Sequence, residues 1–241
     1  MDHKNVICVF ARCPKPGMVK TRLQDVLGEK HAAFLARAFL LDTISNSLRV
    51  KKTSIIVAYW PPESREDFED IMHLFSLEEK DRNIRRKSND IRLMPQQGAD
   101  PGERMVRLSD SLFLSGADKI LITGSDSPQL HPSIFRAALE LLDRKRVVLG
   151  PTFDGGYYII GLRNPCPEIF NGINWGSSNV YRETAEILER NEVNWQELEL
   201  SYDVDTPENL EQLYLEIDTL RLTGENRICY HTEKCLKNLT E

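Results

Sequence analysis

Residues Cys8–Arg22 read C-V-F-A-R-C-P-K-P-G-M-V-K-T-R. The apolar run Val6–Phe10 that leads into them is strand-like. From Arg12 the chain enters a loop that holds two prolines, one glycine and four cations, and a helix-forming segment follows. Strand, basic loop and helix start, in that order, set backbone N–H groups and cationic side chains where a phosphate can meet both. The same residues also suit a plain basic turn of an αβ unit. What decides between the two is whether the rest of the chain supplies a matching acidic site.

Outward from this stretch, short apolar runs alternate with helical patterns. Glu29–Val50 carries Ala32, Leu35, Ala36, Phe39, Leu40, Ile44 and Leu48, the spacing of an amphipathic helix with one buried face. Ser54–Tyr59 is β-rich and stops at Trp60-Pro61-Pro62. Further strands are predicted at Ile91–Met94, Lys119–Thr123, Val147–Leu149 and Tyr157–Leu162, with Trp195–Leu200 extended. Helices are predicted at Glu63–Phe75, Glu103–Leu114, His131–Leu142, Ser177–Arg190 and Pro207–Leu220. The charge-dense Glu78–Arg92 reads as an exposed loop. This alternation calls for a single α/β domain of three layers, α/β/α, with a mostly parallel sheet. Its expected extent is residues 1–223, with residues 224–241 as a loosely packed C-terminal tail.

With 241 residues, 41% hydrophobic and 28% charged, the chain has the composition of a globular protein that buries a sizeable core. Its net charge of -6 argues against a nucleic-acid polymer as partner, since such partners are held by a broad excess of Lys and Arg. No run approaches the ~18 apolar residues of a membrane span. The apolar run after Met1–Asn5 is too short for a secretory core. Five cysteines without a C-x-x-C pair fit reduced thiols and a cytoplasmic location. Cys229 and Cys235 lie six residues apart and could approach each other.

In a parallel sheet, ligands sit at the carboxyl ends of the strands. The strand Lys119–Thr123 is followed there by Gly124-Ser125-Asp126-Ser127-Pro128. Gly124 lets the backbone turn, and Asp126 is placed to start a site for a hard cation such as Mg²⁺, which takes carboxylate oxygens, water and substrate phosphates. Asp126 could equally cap the turn that Pro128 closes. The alternating Asp203 and Asp205 point the same way from an extended segment, although Asp205 or Thr206 could instead cap the next helix. Asp154-Gly155-Gly156 suits a hairpin turn, or a floor where a sugar or another acceptor approaches the backbone closely.

Five segments occur in order: Phe10–Leu23 (F-A-R-C-P-K-P-G-M-V-K-T-R-L), Gln96–Met105 (Q-Q-G-A-D-P-G-E-R-M), Gly124–Pro128 (G-S-D-S-P), Gly150–Leu162 (G-P-T-F-D-G-G-Y-Y-I-I-G-L) and Asp203–Leu210 (D-V-D-T-P-E-N-L). Together they resemble the DUF2064 family of nucleotide-diphospho-sugar transferases, over roughly residues 5 to 215. The resemblance implies the glycosyltransferase-A type of nucleotide-binding fold. It implies a phosphate site in the basic loop, with Arg12, Lys15, Gly17, Lys20, Arg22 and Gly124 as nucleotide and phosphate contacts. It puts Asp126, with Asp203 or Asp205, at a Mg²⁺ or Mn²⁺ ion. Asp126, Lys20 and Asp154 are the candidate catalytic residues, and Asp154, Gly155, Gly156 and Trp175 the candidate acceptor pocket. The loop departs from the G-x-G-T-R-M pattern of sugar-nucleotide pyrophosphorylases, and Asn174–Ser178 departs from the Trp-Ser-Thr expected there.

Two reactions would use this machinery. A glycosyl group could pass from a nucleoside diphosphate sugar to a small acceptor, or a phosphorylated small molecule could attack the α-phosphate of a nucleoside triphosphate, as in phospholactate guanylyltransferases. Both develop negative charge on phosphate oxygens, where preorganised cations act most strongly. A nucleotide-binding module without turnover is the third reading.

Overall fold

The computed structural model describes residues 4–240. The first three residues of the expected 1–223 domain and the last residue of the tail fall outside them. In chain order the elements are β1 (Asn5–Arg12), α1 (Gln24–Leu27), α2 (Glu29–Leu48), β2 (Thr53–Trp60), α3 (Arg65–Glu78), α4 (Arg82–Ser88), β3 (Arg92–Pro95), α5 (Pro101–Leu114) and β4 (Lys119–Gly124). There follow α6 (Pro132–Leu141), β5 (Val147–Pro151), β6 (Tyr157–Leu162), α7 (Val180–Arg190), β7 (Trp195–Glu197), α8 (Pro207–Leu222) and α9 (Tyr230–Thr240). The seven strands form one sheet in the order β3-β2-β1-β4-β6-β5-β7. Only β6 runs against its neighbours β4 and β5, so the mostly parallel α/β/α fold expected from the alternation is the one observed.

Period-two alternation along β1 sends side chains to both faces of the sheet. Ile7, Val9 and Ala11 join a core with Leu40, Leu41 and Ile44 of α2, Phe68 and Phe75 of α3, and Phe135 of α6. Val6 and Cys8 join the opposite core with Met105, Leu108 and Leu112 of α5 and Leu188 of α7. The register pairs Arg12 with Trp60 across β1 and β2, and Phe10 with Gly124 across β1 and β4. The carboxyl ends of these strands therefore share one edge, which fixes where their exit loops meet.

Three sequence expectations are corrected. The tail is not loose: α9 packs on α2, and Ile228, Cys229 and Leu236 are buried with Leu35 and Phe39 of α2 and with Leu210, Leu213 and Ile217 of α8. For that reason α2 is apolar on both sides rather than one, lying between the sheet and the α8–α9 layer. Asp42 of α2, wholly buried, accepts from His231 N and Thr232 N at 2.9 and 2.8 Å, and so closes the start of α9. The charged segment Glu78–Arg92 contains α4, because Asp81 caps it by accepting from Asn83 N at 2.9 Å and Ile84 buries its side chain. The extended stretch after Trp195 is a strand only to Glu197. Cys229 and Cys235 are free thiols. No helix among the described residues is long and apolar enough to cross a membrane.

Candidate active site

The basic loop between β1 and α2 folds back over the sheet edge. Lys20 takes φ +48°, in the left-handed region that residues with a Cβ seldom enter. Its side chain runs inward until only 3% of it is exposed, and its ammonium lies 5.2 Å from the centre of the Phe39 ring. There Nζ meets Asp126 Oδ1 at 2.5 Å and Asp205 Oδ1 at 2.9 Å. Burial would drive the ammonium towards neutrality, but the charges and hydrogen bonds of the two aspartates outweigh it and hold the pKa above the ordinary lysine value. Lys20 is therefore a fixed internal cation with two carboxylates at its tip.

Backbone bonds hold these groups in register. Val204 N donates to Asp126 O at 2.8 Å, tying the Asp203–Asp205 segment to the exit of β4. Gln129 Nε2 donates to Tyr202 O, also at 2.8 Å. Val204 is buried between the two aspartates, so its neighbours are turned toward the site. Thr206, and neither aspartate, caps α8, in a capping box with Asn209. Asp203 accepts from Ser127 Oγ. Burial, then repulsion by Asp126, pushes its carboxyl up to about 7, with the Ser127 bond and Lys20 opposing.

A pocket of about 230 Å³ opens here, lined by Phe10, Arg12, Met18, Lys20, Asp126 and Asp205 among others. A larger hollow of about 920 Å³ lies at the opposite sheet edge, around Asn5 and Lys119. Open sheets of this kind bind ligands outside the carboxyl ends of their strands, which selects the smaller pocket.

The sequence-named residues divide into two groups. Arg12, Lys20 and Asp126 come together with Asp205, and Asp203 sits just behind them; Gly124 ends β4 at the same edge. Lys15 instead pairs with Asp67 of α3 at 2.7 Å on the surface. Gly17 shapes the loop turn, and Arg22 is exposed in the short turn Thr21–Leu23. Neither Lys15 nor Arg22 lines the pocket. Asp154 is engaged within its own turn, accepting from Thr152 Oγ1 at 2.5 Å and Gly156 N at 3.2 Å. At Gly155, with φ +87°, a Cβ would meet Ser178 O at 1.9 Å, so glycine there admits the neighbouring loop. Trp175 stands edge-on to Tyr157 and covers Gly102, where a Cβ would meet Trp175 Nε1 at 2.7 Å. Gly155 thus packs against the loop at Ser178, and Trp175 lies between β6 and α5, while Asp154 stays exposed. Ser127 was missed, although it lies inside G-S-D-S-P. Nothing in the spacing shows that Lys20 joins the two acidic segments.

Lys20 brings a cation of the basic loop into the acidic cluster, between Asp126 and Asp205. Among the described residues no group of three or more acid, histidine or cysteine side chains is arranged to hold a metal ion. Asp126 and Asp205 nevertheless remain 45% and 40% exposed beyond their contact with Lys20. Two open carboxylates beside a phosphate-sized pocket suit Mg²⁺ or Mn²⁺, hard cations that keep waters and lean on substrate phosphates.

A family model described as "Uncharacterized protein conserved in bacteria (DUF2064)" matches residues 44–177. A crystal structure from Desulfovibrio desulfuricans G20, of a protein provisionally named a nucleotide-diphospho-sugar transferase, is 31% identical, with a TM-score of 0.82 over 98% of this chain and 96% of that one. CMP:2-keto-3-deoxy-manno-octonic acid synthetase complexed with CTP shares the fold at 13% identity, with a TM-score of 0.55 over 89% of this chain and 98% of that one. So does 4-diphosphocytidyl-2C-methyl-D-erythritol synthase from Anaerococcus prevotii DSM 20548, at 13% identity, with a TM-score of 0.54 over 88% and 97%. No curated relative matches the sequence.

Proposed function

The chain belongs to the DUF2064 family, and we propose that it is a metal-dependent transferase that moves a glycosyl group from a nucleoside diphosphate sugar to a small acceptor. The observation that carries this reading is Lys20 held between Asp126 and Asp205 at the carboxyl edge of the sheet. The 31% identical relative, named for that chemistry, supports it. Lys20 presents a fixed positive charge where a diphosphate would gain negative charge on leaving the sugar, and a cation fixed before reaction needs no reorganisation during it. Arg12 extends the positive rim along β1. Asp126 and Asp205 orient Lys20 and, with Asp203 behind them, would hold the divalent ion that neutralises the diphosphate. Nucleotidyl transfer from a triphosphate is the competing chemistry for the same groups.

Asp126→Asn keeps the side chain's shape and removes its charge. Metal-dependent binding of nucleoside diphosphate sugars should fall at least tenfold, about 1.4 kcal/mol. Calorimetric titration with Mg²⁺ and then Mn²⁺ reads this directly. Parent-like affinity in the variant would reduce Asp126 to a turn residue and remove the centre of the proposal.

A further inference from the structure

The segment Gln96–Met105 is not used by the mechanism above, yet it is tightly built onto the same sheet edge. Gln96 Nε2 donates to Ala58 O at 2.7 Å, and Gln96 N to Tyr59 O at 2.9 Å. Asp100 caps α5 by accepting from Glu103 N at 2.9 Å, and the Glu103 carboxylate reaches back to Ala99 N at 2.8 Å. Gly98, with φ +145°, lies so close to the helix start that a Cβ would meet Arg104 N at 2.8 Å. This packing fixes the direction in which Arg104 leaves the first turn of α5. Its guanidinium lies 3.6 Å from the centre of the Trp60 ring, and Nε donates to Gly98 O at 3.1 Å.

Trp60 ends β2 directly opposite Arg12 at the end of β1, so two guanidinium groups converge on one stretch of the edge. Among the described residues neither has an acidic side chain in ion-pair contact. Among the described residues Arg12 makes no side-chain hydrogen bond, and Arg104 bonds only to the backbone carbonyls of Gly98 and Ala99. Partial burial, then the charge of Arg12, pulls the Arg104 guanidinium below its ordinary value, with Asp100 opposing. Cations brought together with no carboxylate in contact repel, and a bound anion relieves that repulsion. Stacking on the Trp60 ring leaves the in-plane N–H groups of Arg104 clear of the ring, and those of Nη1, which no described acceptor takes, can donate to a phosphate or carboxylate oxygen. Arg12 also lines the pocket that contains Lys20 and Asp126.

We infer that Arg12 and Arg104 form a second anion subsite beside the Lys20 cluster, which takes a phosphate-class oxyanion of a substrate. This rests on reading the edge as the nucleotide site. Calorimetric titrations without metal, using inorganic pyrophosphate and glycerol phosphate as separate probes, compare the parent with Arg12→Gln and Arg104→Gln. Both variants should bind a probe at least tenfold more weakly than the parent. Arg12→Gln is the clean arm, because it removes no described hydrogen bond. Loss for pyrophosphate assigns the subsite to the donor's phosphates, and loss confined to glycerol phosphate assigns it to a phosphorylated acceptor. Parent-like binding of both probes by both variants, or no binding of either probe by the parent, overturns the subsite. Failure of the nucleotide reading registers elsewhere, as unchanged binding of nucleoside diphosphate sugar by Asp126→Asn.

Discussion

Lys20 shows how much of this site depends on one side chain. Stripped of its ammonium, the pocket keeps Asp126 and Asp205 facing each other with nothing between them. Lys20→Met retains the stem against Phe39, so the variant tests charge and not packing. Nucleotide affinity should fall at least tenfold. Stability should also fall, by about 1–2 kcal/mol, because one partner of a buried pair is lost while both carboxylates stay half in water. Added Mg²⁺ should restore part of that stability by taking the vacated position between the carboxylates. Urea unfolding with and without Mg²⁺ measures both effects, and a variant as stable as the parent would show that Lys20 does not neutralise the cluster.

At the scale of elements, α9 makes the C-terminal segment part of the core. Its start is fastened to α2 by Asp42, and beside it the Glu79 carboxylate lies 3.7 Å from His231 Nε2. Burial raises the Glu79 pKa, but His231, Asp81 N and the Ser45 hydroxyl together overcome this and hold it at about 2, below its ordinary 4.5. A carboxyl with a depressed folded pKa stabilises the fold above its unfolded value and loses that contribution as pH falls through the folded one. The contact between α9 and the end of α3 should therefore weaken between pH 4.5 and 2. Asp42 shifts the other way, raised chiefly by burial, and is unchanged in Glu79→Gln. That variant should be less stable than the parent at pH 7 and show a flatter decline across the acid window. Melting curves taken from pH 7 to pH 2 compare the two slopes, and parallel slopes would rule Glu79 out as the titrating group.

Across the whole molecule, the site gathers residues from distant parts of the chain: Arg12 and Lys20, Arg104, Asp126, Asp203 and Asp205. A ligand bridging them must stabilise the fold as a unit. At 100 times its dissociation constant it adds about 2.7 kcal/mol. A thermal-shift panel with Mg²⁺ or Mn²⁺ should therefore show the largest rise for nucleoside diphosphate sugars under glycosyl transfer. A rise with triphosphates alone would favour nucleotidyl transfer, and no rise with any nucleotide would count against both.

Strand and helix alternation, the break at Cys13–Gly17 and the glycine at the end of β4 are local features, and they were enough to determine the parallel sheet and the edge that carries the site. Local chemistry also singled out Lys20, Asp126, Asp203 and Asp205, since basic loops and paired carboxylates are recognisable by type and spacing. What the side chains do with one another depends on long-range contact. Lys20 and Asp205 are 185 residues apart, and only the strand order puts them within a hydrogen bond. Asp154, Gly155 and Trp175 carry site chemistry by residue type, whereas their contacts with Thr152, Ser178 and Tyr157 come only with the folded β5–β6 hairpin and the loop beside it. Arg104 gave no signal of its own because its meaning lies in Trp60 and Arg12, which the register of β1 and β2 places beside it. The apolar pattern of α2 could not reveal its second buried face, since that face exists only where α8 and α9 return to cover it. Periodicity records which residues are apolar, whereas their partners are set by the path of the whole chain.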